Sequence, residues 1–520
     1  MASLLRQLLL LASLLCAAHG ARILHVVPIP AWSHWHIFRA LMWELADRGH
    51  HVTIITPLAE KEPHRNWTMV PVAANLDIMP SVGVDIFDYG KDKIDIMSRL
   101  FLYGERACER LMEEEAVQRL LKSKTERFDL LINELFFNDC FLVLAHKFQV
   151  PIVGLCPFEG APWMDDMVGN PTPLAYLPNI FLDYGRLDSL LDRAGNAAFS
   201  LLTKLYRRYV YLPRVDAIVR RHVPDAPSIA QLEQTTALVL LNSHVAFNVP
   251  RPMLPGVVTY GGMQLKPPKK LPQDLQKFID EAPDGVIYFS LGSYIKGTDL
   301  RPQAKKAFIE VFSRIKQRVL WKFEDDNLPG KPDNVMISKW LPQADILAHK
   351  NVRLFMTHGG INSIQEALYH GVPLIGFPVF GDQNCNMNRV EWIGLGIKIP
   401  ISNVSVESLT WAIKEVLEVP SYRQTAQQRS RVFRDNPRPL KEEAAYWVEY
   451  VLRHRGAPHL RSAALDLAWY QYLLLDVIAF IVLVVVGVLV ALLLVLRYLL
   501  RLFRKPVPKK TKAKSSKKRD

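Results

Sequence analysis

Along this chain, short apolar runs alternate with longer segments whose apolar positions recur every three or four residues, the signature of strands interleaved with amphipathic helices. The run "ARILHVVPI" (21–29) reads as a buried strand, "HIFRALMWELADRGH" (36–50) as a helix stopped by Gly49, and "HVTIITP" (51–57) as a second strand. Strand, helix, strand with short links predicts a parallel, doubly wound sheet, and the rhythm returns at 128–133 and 151–155. A second set follows the Gly-, Pro- and Lys-rich stretch "GGMQLKPPKKLP" (261–272), with strands expected in 285–293, 318–324, 352–358 and 373–378. The expectation is an α/β protein of two Rossmann-like domains facing a cleft, residues 21–255 and 256–435, with helices and a juxtamembrane segment at 436–476. In open sheets of this kind, ligands gather at the C-terminal ends of the strands.

The two ends of the chain change the picture. Residues 1–20, with Arg6, an apolar run, and Ala18 and Gly20 at the cleavage positions, read as a secretory signal. Residues 477–496 are twenty uncharged residues, enough to cross about 30 Å of hydrocarbon, preceded by Trp469, Tyr470 and Tyr472. Eleven Lys or Arg lie within the tail at 497–520, which places that side in the cytosol. That tail accounts for most of the formal charge of +13. The body is therefore close to neutral, a nucleic-acid surface is a poor reading, and the tail suits anionic headgroups. Lys517 and Lys518 resemble the dilysine retrieval signal of endoplasmic reticulum membrane proteins. The expected topology is single-pass type I, with a luminal body and acceptor sequons at Asn66 and Asn403. Cys108, Cys140, Cys156 and Cys385 have neither metal-site nor redox-motif spacing, and four buried thiols are expected.

The candidate chemistry centres on "MTHGGINSIQEALYHG" (356–371). A strand runs into a Gly pair and then a helix, for which Asn362 or Ser363 is the expected N-cap. The unpaired amides and positive dipole end of such a helix favour phosphate; Gly359 and Gly360 let the backbone approach, and His358 and Ser363 add donors. Glu366, one turn deeper, suits ribose hydroxyls, so the ligand read from this stretch is a nucleoside diphosphate. Neither G-x-G-x-x-G nor G-x-x-x-x-G-K-[ST] occurs, so dinucleotide oxidation and a P-loop have no basis. Trp340 in "KWLPQADIL" offers a flat face for a base and Gln343 a polar edge, Ser293 follows another strand and Gly turn, and Asp382 and Gln383 in "FPVFGDQNCN" suit sugar hydroxyls.

Together these motifs resemble the donor-binding signature of the UDP-glycosyltransferases, in particular the membrane-anchored animal branch that includes the UDP-glucuronosyltransferases, and the general tone is closer to invertebrate members. The resemblance covers nearly the whole chain and implies a glycosyltransferase B fold with UDP-sugar on the C-terminal half. By matched position it implies that Trp340 stacks the uracil, Gln343 and Glu366 hold the uridine, and Ser293, His358, Gly360, Asn362 and Ser363 hold the diphosphate. Asp382 and Gln383 would hold the sugar, and Arg251 matches an arginine near the diphosphate. His34 in "PIPAWSHWHIF" matches the catalytic base, an imidazole suited to taking the acceptor proton, whereas His36 reads as structural. Its carboxylate partner is ambiguous. Counting from the strand at 128–133 gives Glu134, and counting back from Cys140 gives Asp139, which is preferred for keeping the Asp chemistry. Without an Asp-x-Asp pair, neither a metal nor another cofactor is expected. The acceptor is expected to be a small lipophilic hydroxyl compound held against 155–185. The donor expected is UDP-glucose, with UDP-glucuronate and UDP-galactose as alternatives, alongside a non-catalytic UDP-sugar-binding reading. Homo-oligomer formation is left open.

Overall fold

The computed structural model describes residues 20–73 and 92–503. The signal segment, and the tail beyond residue 503 with Lys517 and Lys518, lie outside the described residues. Contacts divide the chain into a body ending at Ser462 and a second unit beginning at Ala463.

The body contains two parallel sheets. The first comprises β1 (Arg22–Val26), β2 (His51–Thr56), β3 (Trp67–Pro71), β4 (Leu130–Glu134), β5 (Ile152–Cys156), β6 (Thr236–Leu241) and β7 (Val257–Thr259), in the order β3-β2-β1-β4-β5-β6-β7. The second comprises β8 (Val286–Ser290), β9 (Arg318–Lys322), β10 (Val335–Ser338), β11 (Val352–Thr357), β12 (Leu374–Gly376) and β13 (Gly396–Lys398), in the order β10-β9-β8-β11-β12-β13. Central strands such as β4, β5 and β8 are buried along their whole length, as parallel strands covered on both faces must be. The first sheet extends through β7, past the boundary at residue 255 expected from sequence, because Val257–Thr259 pair in register with Val239–Leu241.

Helices cover both faces of each sheet. On the first domain, α1 (Trp32–Asp47) buries Trp35, Phe38, Leu41, Met42 and Leu45 against β1 and β2, at the three-and-four spacing seen in the sequence. The other helices used below are α2 (Lys93–Glu113), α3 (Pro162–Val168) and α4 (Leu190–Tyr206), then α5 (Ile361–His370) and α6 (Gln383–Trp392) of the second domain. α7 (Leu440–Arg453) returns the chain to the first domain, where Ala444, Ala445, Val448 and Val451 enter the same core as Phe38 and Leu41. In the second unit, α8 (Leu475–Phe503) is long and apolar enough to cross a membrane.

One cysteine expectation is overturned. Cys108 of α2 and Cys140 form a disulfide across 32 residues, while Cys156 and Cys385 are free, buried thiols. Packing of α2 on the turn after β4 brings together two side chains that sequence spacing leaves unrelated. Closing a loop of that length is worth about 4 kcal/mol in the chain-entropy account.

Candidate active site

Strand order reverses between β1 and β4 in the first sheet and between β8 and β11 in the second, the crevices where open α/β sheets place ligands. The candidate residues gather at both. His34 sits in the first turn of α1 just past β1, and Glu134 is the last residue of β4. His34 Nδ1 lies 2.6 Å from Glu134 Oε1, and Asn138 Nδ2 donates to Glu134 Oε2 at 3.0 Å. Burial raises the Glu134 carboxyl above its ordinary value, with the His34 and Asn138 hydrogen bonds opposing that rise. An ionised Glu134 accepts the Nδ1 proton, which leaves the Nε2 lone pair free to act as a base. The carboxylate beside His34 is therefore Glu134. Asp139, preferred from sequence, faces elsewhere: it accepts from Arg207 Nη2 at 2.6 Å and from the Tyr211 hydroxyl at 2.8 Å. Arg207 in turn meets Glu233, so Asp139 belongs to a buried ion cluster that holds the helix after residue 206 onto the turn after β4.

In the second domain β11 ends at Thr357 and α5 begins at Ile361. The N-cap is Gly360, with no side-chain cap, rather than the expected Asn362 or Ser363; both stand inside the first turn. A side-chain cap would occupy the amides that the site leaves available. The His358 imidazole is wedged between two turns. A Cβ on Gly292 would come within 2.6 Å of its Cε1, and one on Gly360 within 2.6 Å of its Nε2. Gly292, at φ +86°, also makes the sharp turn that presents exposed Ser293. Burial, with the charge of Lys322 adding, lowers the His358 pKa to about 4, so the ring is neutral and offers one N–H.

Glu366 and Gln343 adjoin. Gln343 Nε2 donates to Glu366 Oε2 at 2.8 Å and to Ser363 Oγ at 3.2 Å, and the Tyr288 hydroxyl donates to Gln343 Oε1 at 3.3 Å. Burial raises the Glu366 pKa to about 7. Trp340 is 71% exposed, so it presents an indole face and is no core residue. Asp382, at the start of α6, accepts from Asn386 Nδ2 at 2.8 Å; burial raises its pKa, and the charge of His34 is near enough to lower it. The oxygen of Gln383 accepts the N–H groups of Val379 and Phe380, which shapes the turn and leaves its NH2 free of that duty. Arg251 is instead held by Asp165 of α3, beside Gly160 and Glu159.

Several residues that sequence reading missed join the two domains. Asn362 Nδ2 donates to the Ser33 carbonyl at 3.0 Å, and buried Asn242, at the end of β6, donates to Asn362 Oδ1 at 3.0 Å and accepts from Gln365 Nε2 at 2.8 Å. The first turn of α5 is thereby tied to the first turn of α1, one residue from His34. Glu159, after β5, takes both Nη groups of Arg389 on α6 at 2.9 Å. The one sequence signal for Asn242 and Glu159 is a polar residue within three positions of the end of a buried strand, which many loops share.

An aromatic wall starts at the base. Phe136 lies edge-on to His34 at 5.5 Å between centroids and meets Phe158 at 5.6 Å. Phe158 continues to Phe181, which stacks on Trp163 at 5.9 Å. The 155–185 segment thus carries an apolar wall that leads to His34.

Two parallel Rossmann-like sheets of these strand orders make up the glycosyltransferase B fold. The solved structure of UDP-glucose: anthocyanidin 3-O-glucosyltransferase in complex with UDP shares this fold, at a TM-score of 0.57 and 16% identity, covering 84% of this chain and 99% of that one. The family described as UDP-glucoronosyl and UDP-glucosyl transferase matches residues 22–513, and the chain belongs to it. Similar relatives include UDP-glycosyltransferase UGT5 of Dactylopius coccus, 37% identical over 486 residues (92% of each chain). UDP-glucosyltransferase 2 of the same organism is 35% identical over 488 residues, covering 91% of this chain and 92% of the relative. The chain is a UDP-sugar-dependent glycosyltransferase.

Proposed function

We propose that this enzyme transfers glucose from UDP-glucose to the hydroxyl of a small lipophilic acceptor, with inversion, and that His34 is the general base. The observation that carries the reading is the 2.6 Å contact between His34 and buried Glu134, on a helix turn that Asn362 ties to α5. Nε2 takes the acceptor proton as the oxygen attacks the anomeric carbon, and Glu134 stabilises the imidazolium. The attack displaces UDP from the opposite face, so an α-linked donor gives a β-glycoside. The free amides at Gly360–Ser363, the helix dipole and the His358 N–H take up the leaving-group charge, and no metal is invoked. Trp340, Gln343 and Glu366 hold the uridine, Ser293 adds a phosphate donor, and Asp382 and Gln383 hold the sugar.

A neutral sugar is favoured by charge. Arg251 and Arg389 are each already bound to a carboxylate, Asp165 and Glu159 respectively, and Asp382 adds negative charge where the sugar would lie. A glucuronate carboxylate would meet that charge without a committed cation. The name of UDP-glucosyltransferase 2 points the same way. A donor panel with one promiscuous phenol, run on microsomes containing the full chain, tests this. UDP-glucose should turn over fastest, and faster turnover of UDP-glucuronate would overturn the assignment.

The proposed setting is the endoplasmic reticulum membrane, with the body luminal and α8 as a type I span. The Cys108–Cys140 disulfide suits an oxidising compartment. Asn403 is exposed as a glycan acceptor should be, whereas Asn66 is half-buried and its Nδ2 donates to the Ala46 carbonyl at 3.0 Å.

A further inference from the structure

Side-chain amides form a chain of hydrogen bonds that runs one way through the joint between the two Rossmann-like domains. Gln264 Nε2 approaches Gln365 Oε1 at 3.4 Å, and Gln365 Nε2 donates to Asn242 Oδ1 at 2.8 Å. Asn242 Nδ2 donates to Asn362 Oδ1 at 3.0 Å, and Asn362 Nδ2 donates to the Ser33 carbonyl at 3.0 Å. Asn242 and Gln365 are fully buried, and Gln264 is 5% exposed. Chemistry fixes the direction. An amide side chain can turn either its oxygen or its nitrogen toward a neighbour, whereas a backbone carbonyl only accepts. Asn242 Nδ2 also donates to the Pro157 carbonyl at 2.9 Å, so the amide at 242 has one orientation and presents N–H to Asn362. Space is kept for the chain: a Cβ on Gly261 would come within 2.8 Å of Gln365 Nε2. The backbone N–H of Asn242 donates to the carbonyls of Cys156 and Phe158, which seats the residue against the turn after β5.

We propose, on the roles given above to His34 and Asn362, that Asn242 is a positioning residue that orients the Asn362 amide and so holds the base in register with the diphosphate. With its oxygen committed to Asn242, Asn362 turns its NH2 toward the first turn of α1. One N–H reaches the carbonyl of Ser33, the neighbour of His34, and the other is available to a phosphate oxygen. Turned the other way, the same amide would set its oxygen against the Ser33 carbonyl and against an anion, repulsive on both counts. Ser33 is exposed, so water competes for its carbonyl, whereas Asn242 is sealed from water; the buried partner decides the orientation. The consequence is kinetic. The first turns of α1 and α5 belong to different domains, and a misplacement of about 1 Å between reacting groups costs up to about 10²-fold in rate.

A double-mutant cycle on the full chain tests this, with kcat and KM for UDP-glucose measured on a phenolic acceptor and scaled to the folded fraction read from unfolding curves. Asn242→Asp keeps the shape and replaces the N–H donor with an acceptor; Asn242→Ala removes the amide altogether. Each should lower kcat about tenfold or more in the otherwise wild-type chain. On an Asn362→Ala background, where no amide remains to be oriented, each should lower it less than about twofold further. A lower unfolding midpoint with kcat per folded molecule near wild type shows a purely structural residue and overturns the inference. Equal losses of kcat on both backgrounds show a route that bypasses Asn362 and overturn it as well. His34→Ala, assayed in parallel, separates this from the reading beneath it. A large fall there with none at 242 overturns the role of Asn242 alone, and no fall at His34 overturns the base assignment together with it.

Discussion

Glu366 offers the sharpest thermodynamic test of the donor site. Burial raises its pKa from 4.5 to about 7, opposed by Gln343 and assisted by Asp345. If ribose hydroxyls donate to this group, UDP selects the ionised form. The sign follows: binding takes up the deprotonated carboxylate, so affinity rises with pH through about 7 and levels off above. Between pH 6 and pH 8 the ionised fraction climbs from about one tenth to nine tenths, which strengthens binding about tenfold, or about 1.4 kcal/mol. The terminal phosphate of UDP also titrates near pH 6, as phosphate monoesters do. Glu366→Gln is therefore the reference, since it keeps the phosphate contribution and removes the carboxylate. Calorimetry of UDP binding to the purified full chain should show the wild-type advantage over Glu366→Gln growing about tenfold from pH 6 to pH 8. At pH 8 the substitution should weaken binding by about 1–2 kcal/mol, the difference between charged and neutral hydrogen bonds. An advantage that stays constant across that range, or no advantage at all, would refute the ribose assignment.

Two further outcomes separate roles that lie close together. Asp139→Ala leaves Arg207 paired with Glu233 but takes the acceptor from the buried Tyr211 hydroxyl, so it should cost about 1–3 kcal/mol of stability in thermal or denaturant unfolding. The turnover of its folded fraction should stay near wild type, whereas Glu134→Gln should lower kcat by about 10²–10⁴. Trp340→Ala should weaken UDP binding by about 1–3 kcal/mol, the range measured for base stacking on an aromatic, with little effect on the unfolding midpoint because the indole is exposed.

Much of this arrangement is visible in the linear chain. The largely apolar runs at 22–26, 130–134, 286–290 and 352–357 are strands because parallel sheets covered on both faces need mostly buried, apolar residues. The Gly pair after β11 stands out in the sequence for a local reason, the close approach of His358 and backbone. What the sequence hides depends on partners far along the chain. The choice between Glu134 and Asp139 turns on Arg207, which lies 68 residues beyond Asp139, in the helical turn directly after α4. Cys108 and Cys140 carry no local pairing signal and meet only because α2 packs on the turn after β4. The start of α5 at Ile361 defies local propensity, since two good capping residues are enclosed in the first turn where their side chains serve the cleft. Arg251, matched by motif alone, finds a carboxylate partner that no motif includes.

The most direct measurement is UDP release by the full chain with UDP-glucose and a phenolic acceptor, wild type beside His34→Ala, with UDP affinity measured on the same preparations. Loss of a general base should lower kcat by about 10²–10⁴ while the dissociation constant for UDP stays where it was. Turnover unchanged by His34→Ala would contradict the mechanism and leave the His34–Glu134 pair a structural contact.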